Sequence, residues 1–102
     1  MKTATTLQFR KAVRKYAKKK GLPLGSSWTN KTTADGEFDG HRTVGFYAPS
    51  AGPSAAAGIE KKLNKKGLTA DTRVTEDGNH SPSGCYYGLN GTYIRGTCVL
   101  AD

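Results

Sequence analysis

The chain has 102 residues, a formal net charge of +8 and a mean hydropathy of −0.61. That length serves one domain with a modest core. No apolar run approaches the ~20 residues of a membrane span, and two cysteines cannot build a disulfide scaffold. Leu, Ile, Val and Phe together number only 16, which with this charge leans toward disorder; the periodicities below argue against it.

The charge is concentrated. Residues 1–20 hold Lys2, Arg10, Lys11, Arg14, Lys15, Lys18, Lys19 and Lys20 and no acid, whereas residues 21–102 hold eight basic and eight acidic residues. Such a field attracts polyanions, nucleic acid first and an acidic protein surface second. The basic start has no apolar segment behind it, so no signal peptide is expected and a cytoplasmic protein is.

Residues 5–20 predict a helix, because Phe9, Ala12, Val13, Tyr16 and Ala17 fall at i, i+3, i+4, i+7 and i+8. Thr5 or Thr6 can cap its start. Gly21 can end it in the left-handed conformation, with Leu22 folding back and Pro23 blocking continuation. Arg10, Lys11, Arg14, Lys15, Lys18 and Lys19 line the other side. Arg10/Arg14, Arg14/Lys18 and Lys11/Lys15 are like-charge pairs at i,i+4, each costing a few tenths of a kcal/mol. The helix dipole accounts for lysines at 18–20, not for the earlier four cations.

Gly25–Ala48 reads as a hairpin, with strands Ser26–Thr33 and Arg42–Ala48 around a turn at Ala34–Gly40. Asp35, Glu37, Asp39 and Gly40 imitate half of a calcium loop, but its last position would be Phe46 where a glutamate is required. Pro49–Pro53 breaks the chain. Ser54–Lys66 predicts a second helix with a thin stripe of Ala56, Ile59 and Leu63, stopped by Gly67. The Ser50–Ala55 stretch is no nucleotide loop, and an ordinary helix start is its plainer reading.

Asp71–Glu76 predicts a short strand and Asp77–Ser83 a loop. Cys85–Leu89 and Thr92–Leu100 flank Asn90-Gly91, which predicts a two-residue hairpin pairing Leu89 with Thr92, Tyr87 with Ile94 and Cys85 with Gly96. One face then holds Cys85, Tyr87, Leu89, Ile94, Cys98 and Leu100, the expected core side. The other holds Tyr86, Tyr93, Arg95, Thr97 and Val99. Tyr93 and Arg95 there could stack bases, or belong to ordinary cross-strand packing.

The expected fold is α+β, a single domain 1–102 in the order α-β-β-α-β-β-β, with two helices on one face of a four- to five-stranded antiparallel sheet. Lys19-Lys20-Gly21-Leu22 recurs as Lys65-Lys66-Gly67-Leu68, 46 residues on. The recurrence reads either as an α-β-β duplication with halves 5–48 and 53–100 or as convergence on one helix-end solution.

His41, His80, Cys85 and Cys98 lack zinc-site spacing, so no metal or other cofactor is expected. Cys85 and Cys98 lie diagonally and are expected as thiols. His41/Asp39 and His80/Asp77 are the only neighbourhoods a small nuclease could use, and no nucleophile has an identifiable base, so an enzyme is not expected. The functional expectation is a small non-enzymatic nucleic-acid-binding protein, DNA or RNA, directed at the backbone. Arg10, Lys11, Arg14, Lys15, Lys18 and Lys19 would contact phosphates, with Tyr93 and Arg95 secondary. The alternative is a protein-interaction module or inhibitor that docks on an acidic protein surface. Lys61 and Lys62, beside Glu60 in the charge-balanced part, are expected to contribute little.

Overall fold

The first helix begins and ends where its sequence dictates. In the computed structural model, which describes residues 1–30, 41–77 and 91–99, helix α1 spans Thr6–Lys20. Its start is closed reciprocally: the Gln8 N–H donates to Thr5 Oγ1 at 3.2 Å and the Thr5 N–H donates to Gln8 Oε1 at 2.9 Å. Its end is a left-handed Gly21 at φ 65°. The Leu22 N–H there donates to the Ala17 carbonyl at 2.8 Å, the fold-back bond of a glycine-terminated helix.

The remaining elements are β1 (Lys2–Thr3), β2 (Ser27–Asn30), β3 (His41–Tyr47), α2 (Ser54–Asn64), β4 (Leu68–Thr69), β5 (Asp71–Asp77) and β6 (Gly91–Val99). Four strands form one antiparallel sheet in the order β2-β3-β6-β5. The short β1 and β4 make a separate parallel pair, Lys2 beside Leu68 and Thr3 beside Thr69. The architecture is the expected α+β one.

Both helices cover the same sheet face. Phe9, Val13, Ile59 and Leu63 from the helices meet Val44, Phe46, Ile94 and Cys98 from the strands in one buried cluster. Close approach is set by glycine: a Cβ at Gly96 would overlap the Phe9 ring, so α1 settles on β6 only because that position carries no side chain. The α2 stripe is Ala55, Ile59 and Leu63 rather than Ala56, Ile59 and Leu63, a strict four-residue spacing on a helix that presents a narrow face.

Strand β6 is paired on both sides. Ile94 lies between Val74 and Phe46, Gly96 between Thr72 and Val44, and Thr92 beside Glu76 with its carbonyl accepting from Ala48 N–H at 2.8 Å. A strand has two edges, and both of β6 are taken by strands distant in sequence. The expected strand Cys85–Leu89, its Tyr86, the turn Ala34–Gly40, most of the loop Asp77–Ser83 and Leu100 lie outside the described residues. The short strand β4 after α2 is one that the sequence pattern did not reveal.

The topology has two matching halves, α1-β2-β3 and α2-β5-β6, with β3 and β6 antiparallel at the centre. Gly21 and Gly67 are both left-handed, at φ 65° and 73°. The buried positions Phe9, Val13 and Ala17 stand 46 residues before the buried Ala55, Ile59 and Leu63. The motif repeat at the helix ends is thus matched by the helix faces that reach the core.

Candidate nucleic-acid interface

The two helices pack side by side, with Tyr16 of α1 lying on Gly58 of α2. A Cβ at Gly58 would overlap the Tyr16 ring, so the helices touch closely at this point. Away from the sheet they leave a groove of about 890 Å³. Lys11, Arg14, Lys15 and Lys18 line one side and Lys62, Lys65 and Lys66 the other. Ala12, Leu63 and Leu68 contribute the apolar part of the lining. Every charged residue of the lining is a cation.

The acid nearest to α2's lysines in sequence does not neutralise them. Glu60 accepts from Thr69 Oγ1 at 3.2 Å and from Thr72 Oγ1 at 2.9 Å, which ties its carboxylate to β4 and β5. Among the described residues the one ion pair is Arg73 with Asp71 at 3.2 Å, exposed on β5. The consequence shows at Lys62, whose pKa is held below the ordinary lysine range by desolvation first and then by repulsion from Lys19, Lys65, Lys15 and Lys20.

The expected phosphate contacts divide. Lys11, Arg14, Lys15 and Lys18 are exposed along the groove, and Lys19 stands close enough to depress Lys62. Arg14 also lies over the Phe46 ring, its Cζ 5.7 Å from the centroid. Arg10 is turned toward the sheet edge, half-buried, its Nη2 donating to Thr29 Oγ1 at 3.4 Å. Tyr93 and Arg95 sit on the opposite face of the sheet, so the fold does not bring them together with the basic helix. Tyr93 is 9 % exposed and packs across the strands against Tyr47 at 5.4 Å between centroids. The Arg95 guanidinium lies 5.2 Å from the Trp28 ring centre and 5.7 Å from that of Tyr93, and burial lowers its pKa. Gly45 and Gly91 let Trp28 and Tyr47 lie flat on the backbone, where a Cβ would strike either ring.

Sequence reasoning missed Lys62, Lys65 and Lys66. The first had been counted in a charge-balanced region, and the structure sets it against α1's lysines. No local signal marks them, because Glu60 cancels a lysine in a charge count and only the packing of α2 on α1 sets them in the groove. Cys98 is buried in the core, while Cys85, His80 and Asp39 lie outside the described residues. Among the described residues no three His, Cys, Asp or Glu gather as a metal set, and no helix is long and apolar enough to cross a membrane. No family model matches the chain, and no curated protein or solved structure matches it.

Proposed function

We propose that the chain is a small non-enzymatic nucleic-acid-binding protein that holds the phosphate backbone against the exposed face of α1. The observation that carries this reading is a groove lined by seven cations and no acid, with the neighbouring Glu60 tied to threonines elsewhere. Like charges this close cost stability, and a bound polyanion would remove that cost. The groove lining consists of side-chain cations, Gln8 and small apolar side chains among the described residues, a set that supports recognition of backbone rather than sequence. Among the described residues the exposed large apolar side chains are Met1 and Leu7. That is too little apolar surface to mark a protein-docking patch around the basic face.

The test is binding of fluorescein-labelled DNA and RNA across a salt series, beside polyglutamate of matched length. The reading expects nucleic acid to bind with a linear fall of log K against log salt, steepened by about 0.7–0.9 for each phosphate contact. Binding of polyglutamate alone would replace it with an acidic protein surface as the partner.

A further inference from the structure

We propose that the α1–α2 groove seats one phosphodiester strand lengthwise, held between Lys11, Lys15 and Lys18 on one wall and Lys62, Lys65 and Lys66 on the other. The proposal rests on the nucleic-acid reading above and adds a second wall to it.

Spacing and length support it. On α1 the three lysines fall at i, i+4 and i+7 and form one row along the helix, while Lys62 stands on the last turn of α2 and Lys65 and Lys66 on the turn that follows it. Lys11 to Lys18 covers about 10 Å of helix axis at ~1.5 Å per residue. A strand carries one phosphate per ~3.4 Å in a duplex, so the α1 wall matches about three phosphates. Lys62, Lys65 and Lys66 line the other side of the groove, so a strand lying in it meets cations from both sides. Between the rows the lining is apolar, Ala12, Leu63 and Leu68. Apolar side chains offer no hydrogen bond to a base edge, as a backbone seat requires.

The two walls also repel one another. Desolvation first, and then Lys19, Lys65, Lys15 and Lys20, disfavour the charged form of Lys62, and an anion in the groove that Lys15, Lys62 and Lys65 line would relieve part of that repulsion. A free single strand and one strand of a duplex present the same phosphodiester chemistry to the groove.

The experiment compares three variants of the full chain: Lys11, Lys15 and Lys18→Gln; Lys62, Lys65 and Lys66→Gln; and Lys61→Gln with Arg73→Gln, which lie off the groove. Each is titrated with labelled 12-nucleotide single strands and 12-base-pair duplexes over a salt series, and circular dichroism melting confirms that each is folded. Gln keeps helix propensity near that of Lys. Each wall variant should lower the slope of log K against log salt by up to ~2 on single strands or ~2.7 on duplexes. The off-groove variant should keep the wild-type slope. The preferred arm, single strand or duplex, identifies the source of the strand, and either result supports the seat. An α2-wall variant that binds like wild type while the α1-wall variant fails would overturn the two-walled seat and leave the proposed function standing. Absence of nucleic-acid binding by the wild type at low salt would overturn both.

Discussion

The two α-β-β halves reach the same topology by different means. Helix α1 is 15 residues long, begins in a full capping box and ends in a fold-back glycine cap. Helix α2 is 11 residues long, starts at Pro53 with no side-chain cap and carries a glycine at its centre. The core contacts are distributed differently as well: α1 buries Phe9, Val13 and Ala17 where α2 buries Ala55, Ile59 and Leu63. Helix α1 is therefore specified locally, which lets it tolerate an exposed face made of like charges. Helix α2 depends on burial and on Glu60's bonds to Thr69 and Thr72, as short helices with weak ends do. Charge counted along the sequence separates the halves, whereas packing joins their lysines across one groove.

The largest expected effect tests whether the halves stand alone. Val13→Asp and Ile59→Asp each place an unpaired charge at a fully buried site, a penalty of several kcal/mol against a total stability of about 5–15 kcal/mol for a domain of this size. Each single variant should unfold the whole chain, seen as loss of circular dichroism and of Trp28 fluorescence together. Retention of native signal from one half would make the halves independent units.

Next in size is packing by glycine. Gly96→Val drives a side chain into the Phe9 ring, and overpacking of this kind costs about 1–3 kcal/mol. Urea unfolding should show that loss. The cap contrast comes third. Thr5→Ala removes the Oγ1 acceptor of the Gln8 N–H and should cost about 1 kcal/mol. Ser54→Ala at the start of α2 breaks no side-chain cap and should stay within about 0.5 kcal/mol. Equal losses would show that α2 has a cap of equal weight.

How much of this was legible in the sequence follows from how local each signal is. The α1 stripe, the Thr5 cap and the Gly21 end are contained within a few residues, and the structure has them as read, whereas α2 ends at Asn64, short of the expected Lys66 and Gly67. That β3 and β5 take both edges of β6 is, by contrast, visible only once the sheet is assembled. Ala55 replaced Ala56 on the buried face because a narrow stripe of small residues leaves the helix rotation underdetermined. Half of the candidate site, the α1 lysines, was readable from charge and period. The other half was hidden by averaging: Glu60 cancels a lysine in a count but binds threonines in space. The placement of Tyr93 within cross-strand packing depended on Tyr47, which is distant in sequence, as well as on Arg95 two residues along the same strand face.

The smallest expected effect is a pH dependence that separates the helices' charges. Lys62 has a folded-state pKa below its ordinary value of 10.5, through desolvation and then repulsion from Lys19, Lys65, Lys15 and Lys20. Between the depressed value and the ordinary one, the unfolded chain binds more protons at this side chain than the folded chain does. Stability therefore rises with pH across that window and is lowest where Lys62 is fully charged in both states. Urea midpoints measured from neutral pH up to pH 10.5 should climb in the wild type, and Lys62→Gln should reduce that climb while raising the midpoint at neutral pH. Lys61→Gln, on the exposed side of the same helix, should leave the profile as it is. A phosphodiester bound in the groove favours the charged form of Lys62, so binding at alkaline pH should take up a fraction of a proton, read from the buffer dependence of the calorimetric heat. The same midpoint profile in Lys62→Gln as in the wild type would mean that the two rows of lysines do not feel each other across the groove.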